Sequence, residues 1–319
     1  MSRAKREKGH KGQHFVPKSY IAAWVDPECP DGHEPYVWVF PRDGGPPKAR
    51  PPAKVCKENN IYTIPMPDGG RDLRLEHGLQ TLEDAFARTR RDFIEPQKPI
   101  PVVPRVKLIA FLVALKWRTP QARAHIREQW GRVLDTAEDL EQRMKTSTPE
   151  QRRAMALVGG GSTGGPSMGI EDVRRIVEQP LQTLMPAHLR TETPLLAKLK
   201  LTVLCATGHQ RFITSDSPVV WHDPEGFKRP PMWRGPALMY DTVEITMPLS
   251  PTRLLLLSHR HELWDYIDVG DDVVTEVNRR TRAFADLEFI GQRQMSNPIW
   301  FDTGIPPDRW TEIDSDESA

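Results

Sequence analysis

The sequence has few cysteines, no long apolar run and almost no net charge. Its cysteines, Cys29, Cys56 and Cys205, are odd in number and far apart, which excludes a disulfide framework or a paired-cysteine metal site and favours a reducing, cytoplasmic location. The longest apolar run, residues 108–115, is far shorter than the ~20 residues that span a bilayer, so no membrane partner is expected. With 44 basic and 43 acidic residues the net charge is +1, so any charge-based function has to be local.

The signatures of most familiar enzyme classes are also absent. The sequence contains no GxSxG nucleophile elbow, HExxH zinc site or kinase motif set, and no nucleotide-binding or haem motif. The glycine-rich stretch at residues 159–166, GGGSTGGP, is not followed by GK[ST] and is not a strand-to-helix dinucleotide turn. We therefore interpret it as a flexible linker.

Proline is abundant, and the hydrophobic periodicity changes along the chain. The 31 prolines in 319 residues are about twice the usual ~5% share, which favours short elements joined by rigid turns. Apolar residues at helical spacing predict helices at residues 75–93, 106–117, 120–144, 170–184 and 272–287. Alternating patterns predict short strands at 36–40 and 61–64 and several more between residues 199 and 258. The sequence thus predicts an α+β fold with a helical middle region, an antiparallel C-terminal sheet and a small N-terminal β region.

The two ends of the chain differ in charge from its centre. We expect residues 1–12 to form a flexible basic arm, residues 306–319 an acidic tail and residues 13–305 a single integrated α+β domain. A basic arm can hold phosphates through counterion release, so nucleic acid is a candidate partner, although such arms more often serve only solubility. No protein partner is indicated.

A short N-terminal motif and several later ones occur in a characteristic order. The first is QHFVPKSY at residues 13–20, followed by residues 60–62, Glu76, Glu83, residues 118–120 (RTP), 212–218 (FITSDSP), 248–251 (PLSP) and Asn278. In this order of motifs the sequence resembles the mainly bacterial family of unknown function DUF4238, recognised by H-Y/F-V-P followed by an aromatic and an aliphatic residue. Phe15 replaces the more common tyrosine, and Ser217 replaces an asparagine. The resemblance implies a shared fold and candidate positions, and no activity.

His14 is a candidate general acid or base, because imidazole titrates near neutral pH. The alternative is structural: its ring donates to a carbonyl oxygen and fixes the N-terminal segment. A metal pair with His10 is disfavoured, because Gly12 and Pro17 predict an extended chain and no companion ligand lies at zinc spacing.

Glu83 is expected at the rim of the core, because it flanks the apolar stripe of its helix. A carboxylate there is either paired with a basic residue or has a raised pKa suited to proton transfer or metal binding. Arg118 ends a very apolar helix and is the obvious partner, so we favour this ion pair over a catalytic role.

Asp216 ends a predicted strand at the point where Pro218 turns the chain. Strand ends are common positions for catalytic or metal-binding carboxylates. Equally, Ser215 and Asp216 can simply close the local backbone in a turn. In the final helix, Asn278 lies on an apolar stripe and is expected to hydrogen-bond a neighbouring loop.

Four polar groups from separate segments are therefore candidates for one site: His14, Glu83, Arg118 and Asp216. Together they suit phosphodiester hydrolysis, in which Glu83 and Asp216 hold Mg²⁺ or Mn²⁺ or activate water, while His14 moves a proton and Arg118 stabilises the developing charge. The leading hypothesis is a metal-dependent nuclease or related phosphodiesterase, with a role in bacterial defence or as a toxin. The alternative is a non-catalytic module that binds a nucleic acid, a nucleotide or a protein and uses the same residues as a structural brace.

Overall fold

The computed structural model describes residues 12–65, 71–158 and 168–301. Within these residues the α-helices are α1 (Lys18–Ile21), α2 (Arg74–Thr89), α3 (Val102–Trp117), α4 (Pro120–Thr146), α5 (Pro149–Val158), α6 (Ile170–Glu178), α7 (Pro180–Leu196) and α8 (Asp271–Phe284). Three predicted segments lie outside the described residues. They are the linker near residues 159–166, the acidic tail at residues 306–319 and all of the basic arm at residues 1–12 except Gly12.

The strands form two larger sheets and two small pairs. They are β1 (Gly12–His14), β2 (Val37–Pro41), β3 (Lys48–Arg50), β4 (Lys57–Asn59), β5 (Ile64–Pro65), β6 (Arg71–Asp72), β7 (Lys200–Ala206), β8 (Thr214–Ser215), β9 (Val220–His222), β10 (Glu244–Ser250), β11 (Arg253–Ser258), β12 (Tyr266–Val269) and β13 (Glu288–Gly291). One sheet has the order β12-β7-β11-β10-β9 and is antiparallel except for the β12–β7 pair. A second has the order β3-β2-β13-β8, and β1–β4 and β5–β6 are separate pairs. The α+β fold is thus confirmed.

Helix α3 lies at the centre of the hydrophobic core. It packs against α2 and α7, and the Phe86 ring of α2 stacks on the Phe111 ring of α3 with 4.3 Å between centroids. Its buried side chains are Leu108, Ile109, Phe111, Leu112, Val113, Ala114 and Leu115. Burial of each large side chain contributes about 1.5–3 kcal/mol. A helix so thoroughly buried carries Arg118, the residue that follows it, into the protein interior.

Residues 15–17 of the HFVP segment are buried and lead into α1, which joins distant parts of the chain. The Tyr20 hydroxyl donates to the Pro248 carbonyl oxygen (2.6 Å) and lies 2.9 Å from Thr214 Oγ1. Trp24 Nε1 donates to the Phe212 carbonyl oxygen (2.8 Å). Burial raises the pKa of the Tyr20 phenol. The FITSDSP and PLSP segments therefore meet the N-terminal motif in three dimensions.

Three features differ from the sequence prediction. Of the strand predicted at residues 61–64, only Ile64 lies in a strand, as the first residue of β5. Residues 170–184 form α6 and the beginning of α7 instead of one helix, because Pro180 lacks a backbone N–H and starts a new helix. In addition, β13 pairs with both β2 and β8, so the N-terminal β region shares a sheet with C-terminal strands.

Asn278 holds a loop, as its position on an apolar helical face predicts. Its Oδ1 accepts from the Ile213 N–H (3.0 Å), and its Nδ2 donates to the Arg211 carbonyl oxygen (2.8 Å). One hydrophobic cluster contains residues from Phe15 to Ile290, while the single-domain organisation stays a prediction.

Candidate functional site

A polar cleft of about 450 Å³ lies beside the β1–β4 pair and α2. It contains two of the four predicted site residues, His14 and Glu83. We call it the first cleft, and its lining residues are Gly12, Gln13, His14, Pro17, Lys18, Ser19, Ala53, Lys57, Tyr62, Glu76, Leu79, Gln80 and Glu83.

His14 ends β1 and lines the first cleft, and one of its two ring nitrogens has no hydrogen-bond partner among the described residues. Its Nε2 is buried and has no hydrogen-bond partner within the described part of the chain. Burial lowers the pKa of His14, and the positive charge of Lys57 lowers it further, whereas hydrogen bonding to the backbone of Ala53 and Pro52 opposes the shift. We assign the ring proton to Nδ1, because Nε2 is the nitrogen without a partner. The lowered pKa favours the neutral form of His14 at pH 7, in which Nε2 is the unprotonated nitrogen.

Two lysines bring positive charge to the first cleft, which Glu76 and Glu83 also line. Lys57 of β4 is the direct cross-strand partner of His14, and Lys18 follows the HFVP segment as the first residue of α1. Both side chains are exposed, and both lower the pKa of His14. The Lys57 side chain passes over Gly12, where a β-carbon would lie 2.0 Å from Lys57 Cε. An anion in the first cleft would meet two ammonium groups beside a neutral imidazole.

Glu83 and Arg118 form the ion pair that the sequence predicts. Arg118 Nη1 donates to Glu83 Oε1 (2.9 Å), and the side chains are 1% and 19% exposed, respectively. Arg118 Nε and Nη2 are buried without a hydrogen-bond partner among the described residues. Glu83 faces the first cleft, while Arg118 lies behind it in the protein.

Tyr62 connects this ion pair to the backbone of His14. Its hydroxyl donates to the His14 carbonyl oxygen (2.8 Å). Burial raises the pKa of Tyr62 to about 12, although the positive charge of Arg118 acts in the opposite direction. A polar chain therefore runs from Glu83 through Arg118 and Tyr62 to the end of β1.

Gln13 connects β1 to α2 through the hydrogen bonds of its side-chain amide. Its Nε2 donates to Glu76 Oε2 (2.9 Å) and to Thr63 Oγ1 (3.2 Å), and its Oε1 accepts from the Tyr62 N–H (2.8 Å). The side chain of Gln13 is thus satisfied at both ends. These bonds fix the strand that carries His14.

Asp216 does not line the first cleft. It follows β8, and its two carboxylate oxygens accept from the backbone N–H groups of Asp286 (2.8 Å), Leu287 (2.7 Å) and Glu288 (3.0 Å). Burial raises the pKa of Asp216, while these three donors act against the shift. The structure therefore does not bring Asp216 to His14 and Glu83, because its carboxylate fastens the connection between α8 and β13.

No cluster for a metal ion is found in the described residues, where no three His, Cys, Asp or Glu side chains are arranged to hold one. The expected Glu83 and Asp216 pair is likewise not assembled in the cleft. Across residues 12–65, 71–158 and 168–301, no helix combines the length and apolarity needed to cross a membrane.

Sequence reasoning missed Gln13, Lys57 and Tyr62 as members of the site. Lys57 lies beside His14 only because β1 pairs with β4. The two residues are 43 positions apart, and the sequence between them is rich in proline and glycine. The order of the family motifs, which includes residues 60–62, was the one signal that pointed near Tyr62.

The comparison with family models agrees with the resemblance carried by the HFVP motif. The model described as Protein of unknown function (DUF4238) matches residues 12–295. No curated protein and no solved structure matches the chain. The matched range contains the whole first cleft and nearly all of the described residues. The chain belongs to the DUF4238 family.

Proposed function

We propose that this protein hydrolyses phosphodiesters, as a nuclease or a related phosphodiesterase, and that the first cleft is its active site. The observation that carries the proposal is the buried His14 Nε2, which has no hydrogen-bond partner in the described residues and belongs to a ring that lines a cleft with two lysines. A neutral imidazole next to ammonium groups suits a reaction in which a base works on an anionic substrate.

The proposed chemistry is attack of water on the phosphorus atom. His14 Nε2 takes a proton from the attacking water while the new P–O bond forms. The P–O bond to the leaving alcohol breaks, and the leaving oxygen takes a proton from solvent. Lys57 and Lys18 stabilise the negative charge on the phosphoryl oxygens. The products are a phosphomonoester and an alcohol.

The proposal includes a divalent cation, because two carboxylates, Glu76 and Glu83, line the first cleft. Glu83 and Glu76 lie two helical turns apart on α2, and both line the first cleft. Each carboxylate already accepts one hydrogen bond, Glu83 from Arg118 and Glu76 from Gln13. Mg²⁺ binds through one or two carboxylates and keeps several waters, so these two acids are the ligands that we propose.

The alternative function is a binding module without catalysis. It is favoured by the burial of Arg118, whose guanidinium is paired with Glu83 and is not presented to a ligand. In that case, the cleft would hold a phosphate between Lys18 and Lys57, and His14 would contribute only a hydrogen bond. The hydrolase proposal includes three further expectations. They are a cytoplasmic location, contact of the basic arm with nucleic acid, and a role in bacterial defence or as a toxin.

The test is an assay of the purified chain on single- and double-stranded DNA and on RNA, with Mg²⁺, with Mn²⁺ and with a chelator. We expect His14→Ala to lower the rate about 10²–10⁴-fold, the usual contribution of a general base. The matched control is His261→Ala, which removes an exposed histidine outside the cleft. Circular dichroism and the melting temperature verify that both variants are folded.

The outcomes separate the two functions. Unchanged cleavage in folded His14→Ala would show that the first cleft is not the active site. Binding of nucleic acid without cleavage in any metal condition would establish the binding module instead. Activity that survives the chelator would remove the metal from the proposal and leave His14 and the lysines.

A further inference from the structure

A second polar cleft is lined in part by residues 57–63, the same segment that contributes to the first cleft. Its volume is about 350 Å³. Along residues 57–63, Lys57 and Tyr62 line the first cleft, whereas Glu58, Asn59 and Ile61 line the second. Since a strand rises about 3.3 Å per residue, Lys57 and Asn59 are about 7 Å apart along β4. The shared segment therefore places lining residues of the two clefts close enough for one extended ligand to contact both.

Two arginines on consecutive turns of α4 line the second cleft. Arg123 is 7% exposed, and its Nη2 donates to Glu58 Oε2 (2.7 Å). Its Nε is buried with no hydrogen-bond partner in the described residues. Arg127, one turn later, is exposed. A buried guanidinium with a free N–H, next to an exposed one, points to an acceptor that completes the site.

The first turn of α7 faces the same cleft. Pro180, Leu181 and Gln182 line it, and no side chain caps this end of the helix. The free N–H groups and the positive end of the helix dipole favour an anion there. Glu178, an exposed carboxylate at the rim, acts against anion binding. Removing the Glu178 charge must therefore change the affinity for an anion in the opposite direction to removing an arginine charge.

We propose that the second cleft binds a further phosphate of the strand whose scissile phosphate lies in the first cleft. The ligand is then an oligonucleotide with at least two phosphates, and neither a mononucleotide nor a single diester fills both clefts. This inference rests on the proposed function, because it assigns the first cleft to a phosphodiester.

The experiment compares a dinucleotide that has only its one bridging phosphate with 12-nucleotide single strands of DNA and RNA. For each, kcat/KM is measured with the full chain, and the dissociation constant is measured by fluorescence anisotropy in the His14→Ala background at several salt concentrations. The variants are Arg127→Gln and Glu178→Gln. The matched control is Arg132→Gln, which removes an exposed α4 arginine paired with Glu128 outside both clefts.

We expect Arg127→Gln to weaken binding of the 12-nucleotide strands about 5-fold and to change the dinucleotide less than about 2-fold, as loss of one distant phosphate contact should. The slope of log affinity against log salt should fall by about 0.7, the value for one phosphate contact on a single strand. Glu178→Gln should tighten binding of the 12-nucleotide strands, and Arg132→Gln should leave it unchanged. A preference for DNA or RNA identifies the substrate and supports the inference in either case.

Equal effects of Arg127→Gln on the dinucleotide and the 12-nucleotide strands, or no effect on either, would overturn the inference, as would weaker binding in Glu178→Gln. These failures differ from failure of the proposed function. If no substrate is cleaved but the length-dependent effect of Arg127→Gln is found, the hydrolase is wrong and the two-cleft strand site stands. If cleavage depends on His14 and length has no effect, the hydrolase stands and the second cleft is not a phosphate site.

Discussion

Replacing Glu83 by glutamine tests whether the acid braces the fold or serves the reaction. The substitution keeps the size of the side chain but removes the negative charge 2.9 Å from Arg118 Nη1. The guanidinium is then left 1% exposed, with two further nitrogens that have no hydrogen-bond partner among the described residues. A buried cation without its counterion is the most costly state of such a pair.

The expected loss follows from the burial of the two groups. Removing one member of a buried ion pair costs about 3–5 kcal/mol. Because Glu83 is 19% exposed and water reaches the site, we expect a loss near the lower end, about 3 kcal/mol. At about 2 °C per kcal/mol for a large domain, the melting temperature should fall by about 6 °C. Removing both charges in Glu83→Leu/Arg118→Met should restore most of this loss, since apolar replacements of buried pairs are often neutral or stabilising.

The assay is urea unfolding followed by circular dichroism, with cleavage measured on the same preparations. The two single variants, Glu83→Leu and Arg118→Met, complete a double-mutant cycle that isolates the coupling energy. A Glu83→Gln protein that unfolds within about 0.5 kcal/mol of the wild type but has lost cleavage would refute the brace. Glu83 would then be assigned to the reaction or to the metal.

Three further predictions concern Asp216, His14 and Tyr20. Asp216→Ala should lower the free energy of unfolding by about 3 kcal/mol or more in urea, because three backbone N–H groups lose a charged acceptor; an unchanged midpoint with lost cleavage would contradict this. His14 should titrate below its ordinary pKa of 6.5 in NMR spectra, and Lys57→Gln should raise its pKa towards that value. The pKa of His14 is lower in the folded protein than in the unfolded chain, so the unfolded chain binds more protons between these two pKa values. The His14 contribution therefore makes stability rise with pH up to about 6.5, and Lys57→Gln should flatten that rise. Tyr20→Phe should cost about 1–3 kcal/mol, because the Pro248 carbonyl oxygen loses its buried donor; equal unfolding midpoints would show that this bond is dispensable.

The sequence was informative about the fold where burial dictates the residue type. The apolar stripe of α2 and the almost wholly apolar α3 predicted two core helices. The short strands were harder to find, because β13 pairs with β2 across about 250 residues and neither strand specifies its partner. Local periodicity does not encode such pairings.

For the site, residue type was a better guide than position. Imidazole and carboxylate chemistry singled out His14 and Glu83, and the need to pair a buried guanidinium singled out Arg118. Asp216 was placed in the same group because a carboxylate at a strand end can bind a metal or close a turn. Its partners are backbone N–H groups of residues 286–288, which no side-chain pattern reveals.

The buried ion pair behind the first cleft is itself an argument for function. Two apolar side chains of similar volume often stabilise a fold as much as a buried ion pair does, and here the Arg118 guanidinium, which is 1% exposed, has lost its hydration. What apolar residues cannot provide is the positive charge next to the Tyr62 phenol, which in turn donates to the His14 carbonyl oxygen. The pair therefore helps to position the end of β1, which carries the His14 imidazole. Such positioning serves a binding or catalytic cleft and is not needed in a hydrophobic core. Cleavage with Glu83→Leu/Arg118→Met tests this directly: if the double variant is as stable as the wild type, its rate should still be lower, and a rate equal to that of the wild type would show that the pair has no influence on His14.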